Sequence, residues 1–554
     1  EVIPPLLAVL DSPDANLQAI VLEVLGRIGN GKTAVHLWYF AVDKNKPPGV
    51  RVSAAEAVAR LTLGNRRHAS SLSQQMALRS LERAARDRLA GREKPVVGPT
   101  GKVTSWYFDE TDMSIKRNEA DPNDVVLHAG CRLAQQALVL SPENKRLQAL
   151  LVSLLLTRAR NSTPWTEPLP RGQGTAYDAS ILTGGSVVGE SLRDALQTGN
   201  ATTAIAALEV LRNLSNRNDL KSKTSRGSTL ASALNYPDPR VQFAAAMAIV
   251  ETDPTKAFRG SSRIVQILSR ALESTDQPVA ILAGPKPARV NALAGLVDQA
   301  GYRAHIASTG RDVFREAASR GDVQLVVVDA NVIQWSLSQT VANLRADART
   351  AWVPIVVVGE TPIIGTVARM IERDPLLTYI QRPGTLAGLK VALHPFVAGL
   401  RSDPLSAAER GEMARAAIDL LGYLGDGRRS AIFDLRPAEN GLHSAIQNPD
   451  LADGAIFALA AIPTTSAQDR LATTALQPDL KPGPRERAAA QLAFHIQKHG
   501  VLLNSMRIQE TQKGHRDETN PAVKSALAGV LGAMSPTAAR VGDRLRSIAI
   551  PGPR

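Results

Sequence analysis

The chain has 554 residues, of which 44% are hydrophobic, 21% charged and 4% aromatic. It is too long for one hydrophobic core, so we expect about two to four domains. Its net charge is +13, and a basic surface of this kind can attract nucleic acid, anionic lipid or an acidic protein. No apolar run approaches the roughly 18 residues of a membrane-spanning helix, and the single cysteine, Cys131, excludes an internal disulfide.

The chain begins at Glu1, inside an apparent helix and without an initiator methionine. We therefore expect the native N-terminus to lie upstream, and a removed signal peptide stays open. The expected location is the cytoplasm, with the periplasm or cell envelope as the alternative if a signal peptide was removed.

A turn containing Asp, Asn or Pro, followed by a helix rich in small residues, recurs along the chain. Proline and aspartate set the turn and the N-cap, and alanines such as Ala245 let neighbouring helices approach closely. The copies begin at Asp11, Pro47, Gly199, Tyr236, Asn448 and Asn520. Together they resemble the HEAT-repeat family, which implies paired antiparallel helices stacked into a solenoid. An unrelated alanine-rich helical bundle is the alternative.

Residues 26–33 match the P-loop pattern G-x-x-x-x-G-K-[ST], which cradles phosphate after a β-strand. The preceding residues favour the helix of a repeat that ends at a glycine-rich C-cap. We therefore expect a helix end followed by a turn, with nucleotide binding as the alternative.

A β-hairpin is predicted near 101–118, because apolar and polar residues alternate there on both sides of an acidic turn. It carries the densest aromatic cluster of the chain, Trp106, Tyr107 and Phe108. These side chains either anchor the hairpin to adjacent helices or form a contact surface for a partner. The segment that follows, 121–158, resembles a tetratricopeptide (TPR) helical hairpin, with Ala134 and Ala137 before its turn.

Five short apolar runs separated by helical patterns predict strands of a parallel sheet. They are 279–283, 303–307, 324–328, 354–358 and 376–380, with helices predicted near 288–300, 311–320, 335–346 and 363–373. Residues 277–400 thereby resemble the receiver domain of two-component response regulators. The resemblance implies a doubly wound, flavodoxin-like fold.

The receiver resemblance assigns an acceptor for phosphate but removes the metal ligands around it. Asp329 stands at the phosphoacceptor position, at the end of the third strand. The paired acids that hold Mg²⁺ in receivers correspond to Gly284 and Pro285, so the oxygen ligands are absent. We expect Asp329 to accept phosphate poorly or not at all.

Two further receiver positions are changed, and a third matches. The Ser or Thr position after the fourth strand is Gly359, which has no hydroxyl group. The lysine that receivers place before a proline after the fifth strand corresponds to Arg382, so a planar guanidinium replaces a compact ammonium. Tyr379 matches the aromatic switch position. A static pair between Asp329 and Arg382 is the structural interpretation, and a different small ligand at the strand ends is the alternative.

Two other groups of residues are weak candidates for chemistry. His495 and His499 lie one helical turn apart, a spacing that can bind metal. No third ligand is evident apart from the distant His515, and no catalytic Glu accompanies them. We expect exposed, metal-free histidines. Cys131 is expected in the core because it lies in an apolar helix. A catalytic nucleophile would need a histidine placed to activate it, and none can be inferred nearby.

These observations predict a mainly α protein with an inserted flavodoxin-like α/β domain. The expected domains are helical repeats over 1–276, a pseudo-receiver over 277–400 and helical repeats over 401–554. We expect a non-enzymatic scaffold that binds other proteins within a larger complex and needs no cofactor or metal. The alternatives are a response regulator phosphorylated at Asp329, a nucleic-acid-binding basic solenoid, and a catalytic role of unknown type.

Overall fold

A computed structural model describes residues 2–216, 220, 228–273, 277–360, 365–398, 400, 405–535, 542 and 546. The chain divides into two compact units, Glu1–Asn216 and Arg217–Arg554. Within the described residues, no helix has the combination of length and apolar character that crossing a bilayer demands.

The first unit consists of helices packed in antiparallel pairs, with one β-hairpin between them. Its elements are α1 (Ile3–Val9), α2 (Ala15–Ile28), α3 (Gly31–Val42), α4 (Pro48–Leu63), a 3-10 helix (Arg66–Ser71), α5 (Gln74–Leu89), β1 (Val103–Asp109), β2 (Ser114–Ala120), α6 (Pro122–Leu140), α7 (Lys145–Asn161), α8 (Ala176–Thr183), α9 (Gly185–Thr198) and α10 (Ala201–Leu214).

The predicted repeat chemistry is present at the start of the first unit. The Asp14 carboxylate accepts hydrogen bonds from the backbone N–H groups of Asn16 and Leu17 and so caps α2. Helices α2 and α4 pack closely because Gly26 has no side chain. A methyl group there would lie 2.7 Å from the Ala57 Cβ, which is too short for a real contact.

The β-hairpin and the tetratricopeptide-like hairpin both form where they were predicted. Strands β1 and β2 pair antiparallel, with Asp109 opposite Ser114 at the turn, and the hairpin contacts α1 and α6. Helices α6 and α7 pack against each other, with Ala134 and Ala137 fully buried.

The second unit contains a helical stack and an α/β segment, residues 279–398. The helices of the stack are α11 (Thr229–Ala233), α12 (Pro239–Glu251), α13 (Ser261–Leu272), α19 (Ala407–Gly425), α20 (Glu439–Ala445), α21 (Ala452–Ala460), α22 (Thr465–Leu476), α23 (Pro482–His499), α24 (Ser505–Asp517) and α25 (Pro521–Met534). The α/β segment comprises β3 (Val279–Ala283), α14 (Pro287–Gln299), β4 (Arg303–Ala307), α15 (Gly310–Ser319), β5 (Val323–Asp329), α16 (Leu337–Ala346), β6 (Ile355–Gly359), α17 (Gly365–Arg373), β7 (Leu377–Gln381) and α18 (Leu386–Ala398).

The five strands of the α/β segment form one parallel sheet in the order β4-β3-β5-β6-β7. Strands β3 and β6 are buried along their whole length, because helices cover both faces of the sheet. The predicted strands are confirmed to within one residue or two. The start of the helix predicted near 363 lies outside the described residues, and α17 begins at Gly365.

The helical stack continues in space across the α/β segment. Helix α13, which precedes the segment, packs against α19 and α20, which follow it. From there α19, α21, α23 and α25 contact one another in turn, while α20 and α22 contact α21, and α22 contacts α24. The α/β segment is therefore inserted into the stack without separating its helices. The division of the chain at 276 and 400 stays a prediction, and α11–α13 belong to the second compact unit.

Arg270 of α13 attaches the α/β segment to the stack. Its guanidinium donates to the backbone carbonyls of Ala318, Arg320 and Arg349, at distances of 3.2, 2.6 and 3.2 Å. Gly321 lies directly against the Arg270 carbonyl oxygen, where any side chain would clash. Burial lowers the pKa of the Arg270 guanidinium to about 10, so the side chain stays charged at neutral pH.

We expect Arg270→Met to lower the free energy of unfolding by about 3 kcal/mol or more, because three carbonyl oxygens lose a charged donor in a buried position. Chemical denaturation followed by circular dichroism measures the change. Arg415→Met, which removes an exposed arginine of α19 paired with Glu412, is the matched control and should cost less than about 1 kcal/mol. Equal losses in both variants would contradict the role given to Arg270.

Candidate functional site

The carboxyl ends of the parallel strands bring the receiver-like residues together at one edge of the sheet. Gly284 follows β3, Asp329 ends β5, Gly359 ends β6 and Arg382 follows β7. Ligands of open α/β sheets bind at this edge, so it is the candidate site that the sequence specifies.

The Asp329 carboxylate is already engaged by neighbouring donors. Its Oδ2 accepts a hydrogen bond of 2.5 Å from Arg382 Nη2, and its Oδ1 accepts one of 2.9 Å from the backbone N–H of Asn331. Arg382 is itself fixed, since its backbone N–H donates to the Gly359 carbonyl at 2.9 Å. A charge-assisted pair in a largely buried position is strong, so it fixes the Asp329 carboxylate against Arg382.

Gly284 lies in direct contact with Asp329. A Cβ built on Gly284 would be 2.9 Å from the Asp329 Cβ and 3.1 Å from a methyl group of Val290. An acidic side chain at this position would have to displace its neighbours. The backbone at Gly284 therefore lies too close to Asp329 and Val290 to accept a larger side chain without rearrangement.

Tyr379 fills the space beside Gly359. A Cβ on Gly359 would clash with the Tyr379 hydroxyl oxygen and would lie 2.9 Å from its ring carbon Cζ. The tyrosine ring therefore takes the volume that a Ser or Thr side chain would occupy in a receiver. Arg289 and Glu360 form an ion pair at the same edge.

The chemistry available at this edge is limited. Asp329 is bound to Arg382. The two neighbouring positions are Gly284 and Gly359, and other side chains fill the space where a side chain of theirs would lie. Across the described residues, no group of three or more His, Cys, Asp or Glu side chains is arranged to hold a metal ion. The arrangement is that of a packed contact between strand ends.

The P-loop-like residues 26–33 connect two helices. Helix α2 ends at Ile28, and α3 begins at Gly31 with Asn30 and Thr33 forming a capping box. A phosphate-binding loop of this class joins a strand to a helix, so the nucleotide-binding alternative is wrong. Cys131 is buried in α6, as predicted, and burial raises the pKa of its thiol to about 11.

The prediction of exposed histidines in α23 is wrong for His495, which is fully buried. Its Nε2 lies 2.9 Å from the Ile462 carbonyl oxygen, and its Nδ1 lies 2.9 Å from the Gln468 side-chain amide nitrogen. A carbonyl can only accept, so Nε2 carries the proton and Nδ1 accepts from Gln468. Both ring nitrogens serve the fold, and neither is free for a metal.

Gln468 completes this buried polar network. Its Nε2 also donates to the Gly500 carbonyl, and its Oε1 accepts from the backbone N–H groups of Leu502 and Leu503. The imidazole and the amide thus fix the chain that follows α23 onto α22. Buried polar groups satisfied in this way specify packing.

The three hairpin aromatics are distributed between the surface and a partly buried position. Tyr107 keeps 47% of its surface exposed, while Trp106 and Phe108 are half-buried. The hairpin contacts α1 and α6, which is the arrangement that the anchoring interpretation requires. The exposed ring of Tyr107 leaves the contact-surface interpretation open.

Sequence reasoning missed a row of exposed aromatic residues in the second unit. Tyr423 of α19, Phe457 of α21 and Phe494 of α23 are 40%, 55% and 52% exposed. The sequence did contain a signal for them. Each of these aromatic residues is followed directly by a buried residue but falls outside the buried stripe of its own helix.

Comparison with known proteins identifies no family. No family model matches the chain, and no curated protein matches it significantly.

Among solved structures, an engineered protein is 14% identical and covers 96% of this chain and 98% of its own, with a TM-score of 0.26. A chain from work on a phosphorylation switch in the interaction between cadherin and beta-catenin is 11% identical, covers 96% and 94%, and has a TM-score of 0.22. A chain from work on Kap95p binding to RanGDP is 12% identical, covers 98% and 69%, and has a TM-score of 0.19. Because TM-scores this low do not indicate a shared arrangement of helices, we infer neither fold nor function from them.

We expect Gly284→Ala to destabilise the second unit by about 1–3 kcal/mol, because the added methyl group would overlap the Asp329 side chain. Gly295→Ala is the matched control: Gly295 lies in α14 with open space around its Cα, and alanine there should stabilise the helix by up to about 1 kcal/mol. Denaturant titration of both variants measures the difference. The same sign for the two substitutions would contradict the close packing of Gly284.

We expect the stability of the second unit to fall as the solution is acidified, in part through His495. Burial lowers the pKa of its imidazole below the ordinary 6.5, so the proton binds the unfolded chain more readily than the folded one. The stabilisation is complete above the ordinary pKa and is lost as pH falls below it. Melting temperatures at about pH 7.5 and about pH 5.5 should differ more for the native chain than for His495→Leu. His394→Leu, at an exposed position of α18, should retain the native difference.

Proposed function

We propose that the chain is a non-enzymatic scaffold that binds other proteins. In this proposal, HEAT-like helical arms and a tetratricopeptide-like hairpin carry an inserted pseudo-receiver domain that does not accept phosphate. The strand order β4-β3-β5-β6-β7 supports the receiver assignment, because it matches the flavodoxin-like order of that fold class. The contact of α13 with α19 supports an insertion into one continuous stack.

The observation that carries protein binding is the row of exposed aromatics on the alternate helices α19, α21 and α23, which contact one another in turn. The Phe457 ring packs 3.2 Å from the position of a Cβ on Gly422, which directly precedes Tyr423 in α19. Arg487 of α23 pairs with Asp453, which lies one helical turn before Phe457. These contacts place exposed side chains of the three helices on the same side of the stack.

The chemistry of this face favours a protein partner. Exposed aromatic rings are enriched in the energetically dominant positions of protein interfaces. Cations accompany two of the rings: the Arg429 guanidinium lies 3.7 Å from the Tyr423 ring centre, and the Lys498 ammonium lies 5.9 Å from that of Phe494. Aromatic and cationic groups together offer contacts to both apolar and acidic side chains.

The response-regulator alternative would require phosphate chemistry at Asp329. The Arg382 pair, the close approach of Gly284 and the ring of Tyr379 all occupy the surroundings that such chemistry needs. Magnesium-dependent modification by a small phosphodonor, present in the native chain and absent from Asp329→Ala, would establish that alternative in place of ours.

The nucleic-acid alternative would require a basic surface. On the aromatic face, Asp419 and Asp453 are exposed one helical turn before Tyr423 and Phe457, and Asp453 pairs with Arg487 at 2.5 Å. Interleaved acids repel a phosphate backbone, so this face offers no support for nucleic-acid binding.

We expect affinity capture from a native lysate, after nuclease treatment, to recover a protein in near-stoichiometric amount with the native chain. The double variant Phe457→Ser/Phe494→Ser should lose at least about tenfold of that partner, as the loss of two interface anchors implies. Quantitative mass spectrometry of the captured proteins measures the ratio.

Leu182→Ser/Val391→Ser is the matched control, because both of its residues are exposed apolar side chains on helices that do not carry the row, α8 and α18. It should capture the partner as the native chain does. Equal capture by both double variants would remove the aromatic face from the proposal. Recovery of nothing but nuclease-sensitive material would replace the scaffold with the nucleic-acid alternative.

A further inference from the structure

A cleft of about 840 Å³ lies in the second unit, between the helical stack and the α/β segment. Arg263 of α13 forms one wall, and Phe314 of α15 and the chain around Asp347 form the other. This size is within the range of sites for small molecules. The cleft belongs neither to the carboxyl edge of the sheet nor to the aromatic face.

Arg263 has an unused donor in a buried position. Its Nη1 donates to Gln266 Oε1 and its Nη2 donates to Gln242 Oε1, both at 3.2 Å. Its Nε has no hydrogen-bond partner among the described residues, but protein encloses that atom, so a ligand in the cleft would not reach it. Nη1 and Nη2 each carry a second N–H group beyond the one that these contacts use, and a charged donor of this kind at a cleft calls for an acceptor.

The other charged groups around the cleft are balanced. The Asp347 carboxylate accepts from Arg349 Nε and Nη2. Arg345 is held by Asp374 Oδ2 at 2.7 Å and also donates to backbone carbonyls. Arg263 donates hydrogen bonds only to neutral amides, and the Asp347 carboxylate that attracts it is already paired with Arg349. The three arginines are matched by only two aspartates, Asp347 and Asp374, which leaves one positive charge in excess.

The opposite wall supplies an apolar surface. Phe314 is half-buried and packs against Trp335 with ring centres 5.9 Å apart, which fixes its orientation. Asn343 and Asn235 also line the cleft and provide neutral hydrogen-bonding groups. A cation, two amides and a fixed aromatic ring match a molecule that has an anionic end and a flat or apolar part.

We propose that this cleft binds a small molecule bearing an oxyanion, either a phosphate or a carboxylate. Arg263 donates to an oxygen of the anion, and the body of the molecule packs against Phe314. Such a ligand would contact α13 and the α/β segment together and would stabilise their association by mass action. This site is independent of the scaffold proposal, since it uses none of the residues of the aromatic face.

The test measures binding of inorganic pyrophosphate and of citrate to the full chain by isothermal titration calorimetry, with sodium chloride at matched ionic strength as the reference. Binding of pyrophosphate alone identifies a phosphate ligand, and binding of citrate alone identifies a carboxylate ligand. Arg263→Gln should weaken the affinity about tenfold or more, because a charge-assisted hydrogen bond is lost. Arg315→Gln removes the same charge from an exposed position of α15 and should leave the affinity unchanged.

A second measurement needs no variant and guards against misfolding of Arg263→Gln. Hydrogen exchange of the native chain, with and without pyrophosphate or citrate, should show protection confined to residues 235–237, 263–266 and 343–351 and to the neighbourhood of Phe314. The proposal is overturned if neither anion binds above the chloride reference, if Arg263→Gln and the native chain bind equally, or if protection appears elsewhere.

Discussion

The buried guanidinium of Arg270 lies where α13 meets the α/β segment, and there it donates to three backbone carbonyls of connecting chain. Carbonyl groups removed from water need such a donor. Nearby contacts extend the same principle: Gln242 Nε2 donates to the Ala348 carbonyl at 2.8 Å, and Gln324 Nε2 donates to that of Leu405 at 2.9 Å. Side chains of α12 and α13 thus bind backbone carbonyls of the segment, and Gln324 of the segment binds a carbonyl of the chain just before α19. Recognition of this form depends little on the side chains of the accepting residues.

These contacts give the two edges of the sheet different roles. The edge at the amino ends of the strands, where the chain enters β5 and β6, is the one attached to the helical stack. The carboxyl edge carries Asp329 and Arg382, whose ion pair joins the end of β5 to the residue after β7. Arg240 and Glu409 form a second, largely buried pair at 2.7 Å between α12 and α19. These two pairs therefore hold elements together, one at the sheet edge and one in the stack.

The sequence predicted the parts of the structure that depend on local pattern. The central strands β3, β5 and β6 were found because each is an apolar run buried on both faces of the sheet. The pair of Asp329 with Arg382 was predicted from their positions in the receiver resemblance, although β6 lies between the two strands that carry them. His495 was misjudged, since helical spacing shows that two residues share a face but not which face is buried. Its partners Ile462 and Gln468 lie on other elements, and only the packed helices bring them together.

The contact between α13 and α19 constrains the order in which the second unit can fold. These helices are separated in sequence by the whole α/β segment, so bringing them together from a random chain would require closing a very long loop. A folded α/β segment shortens that loop, because its own strands hold its two ends on one compact body. The entropic barrier is therefore lowest when the sheet forms first, and the inserted segment serves the helical stack as an internal template for its assembly.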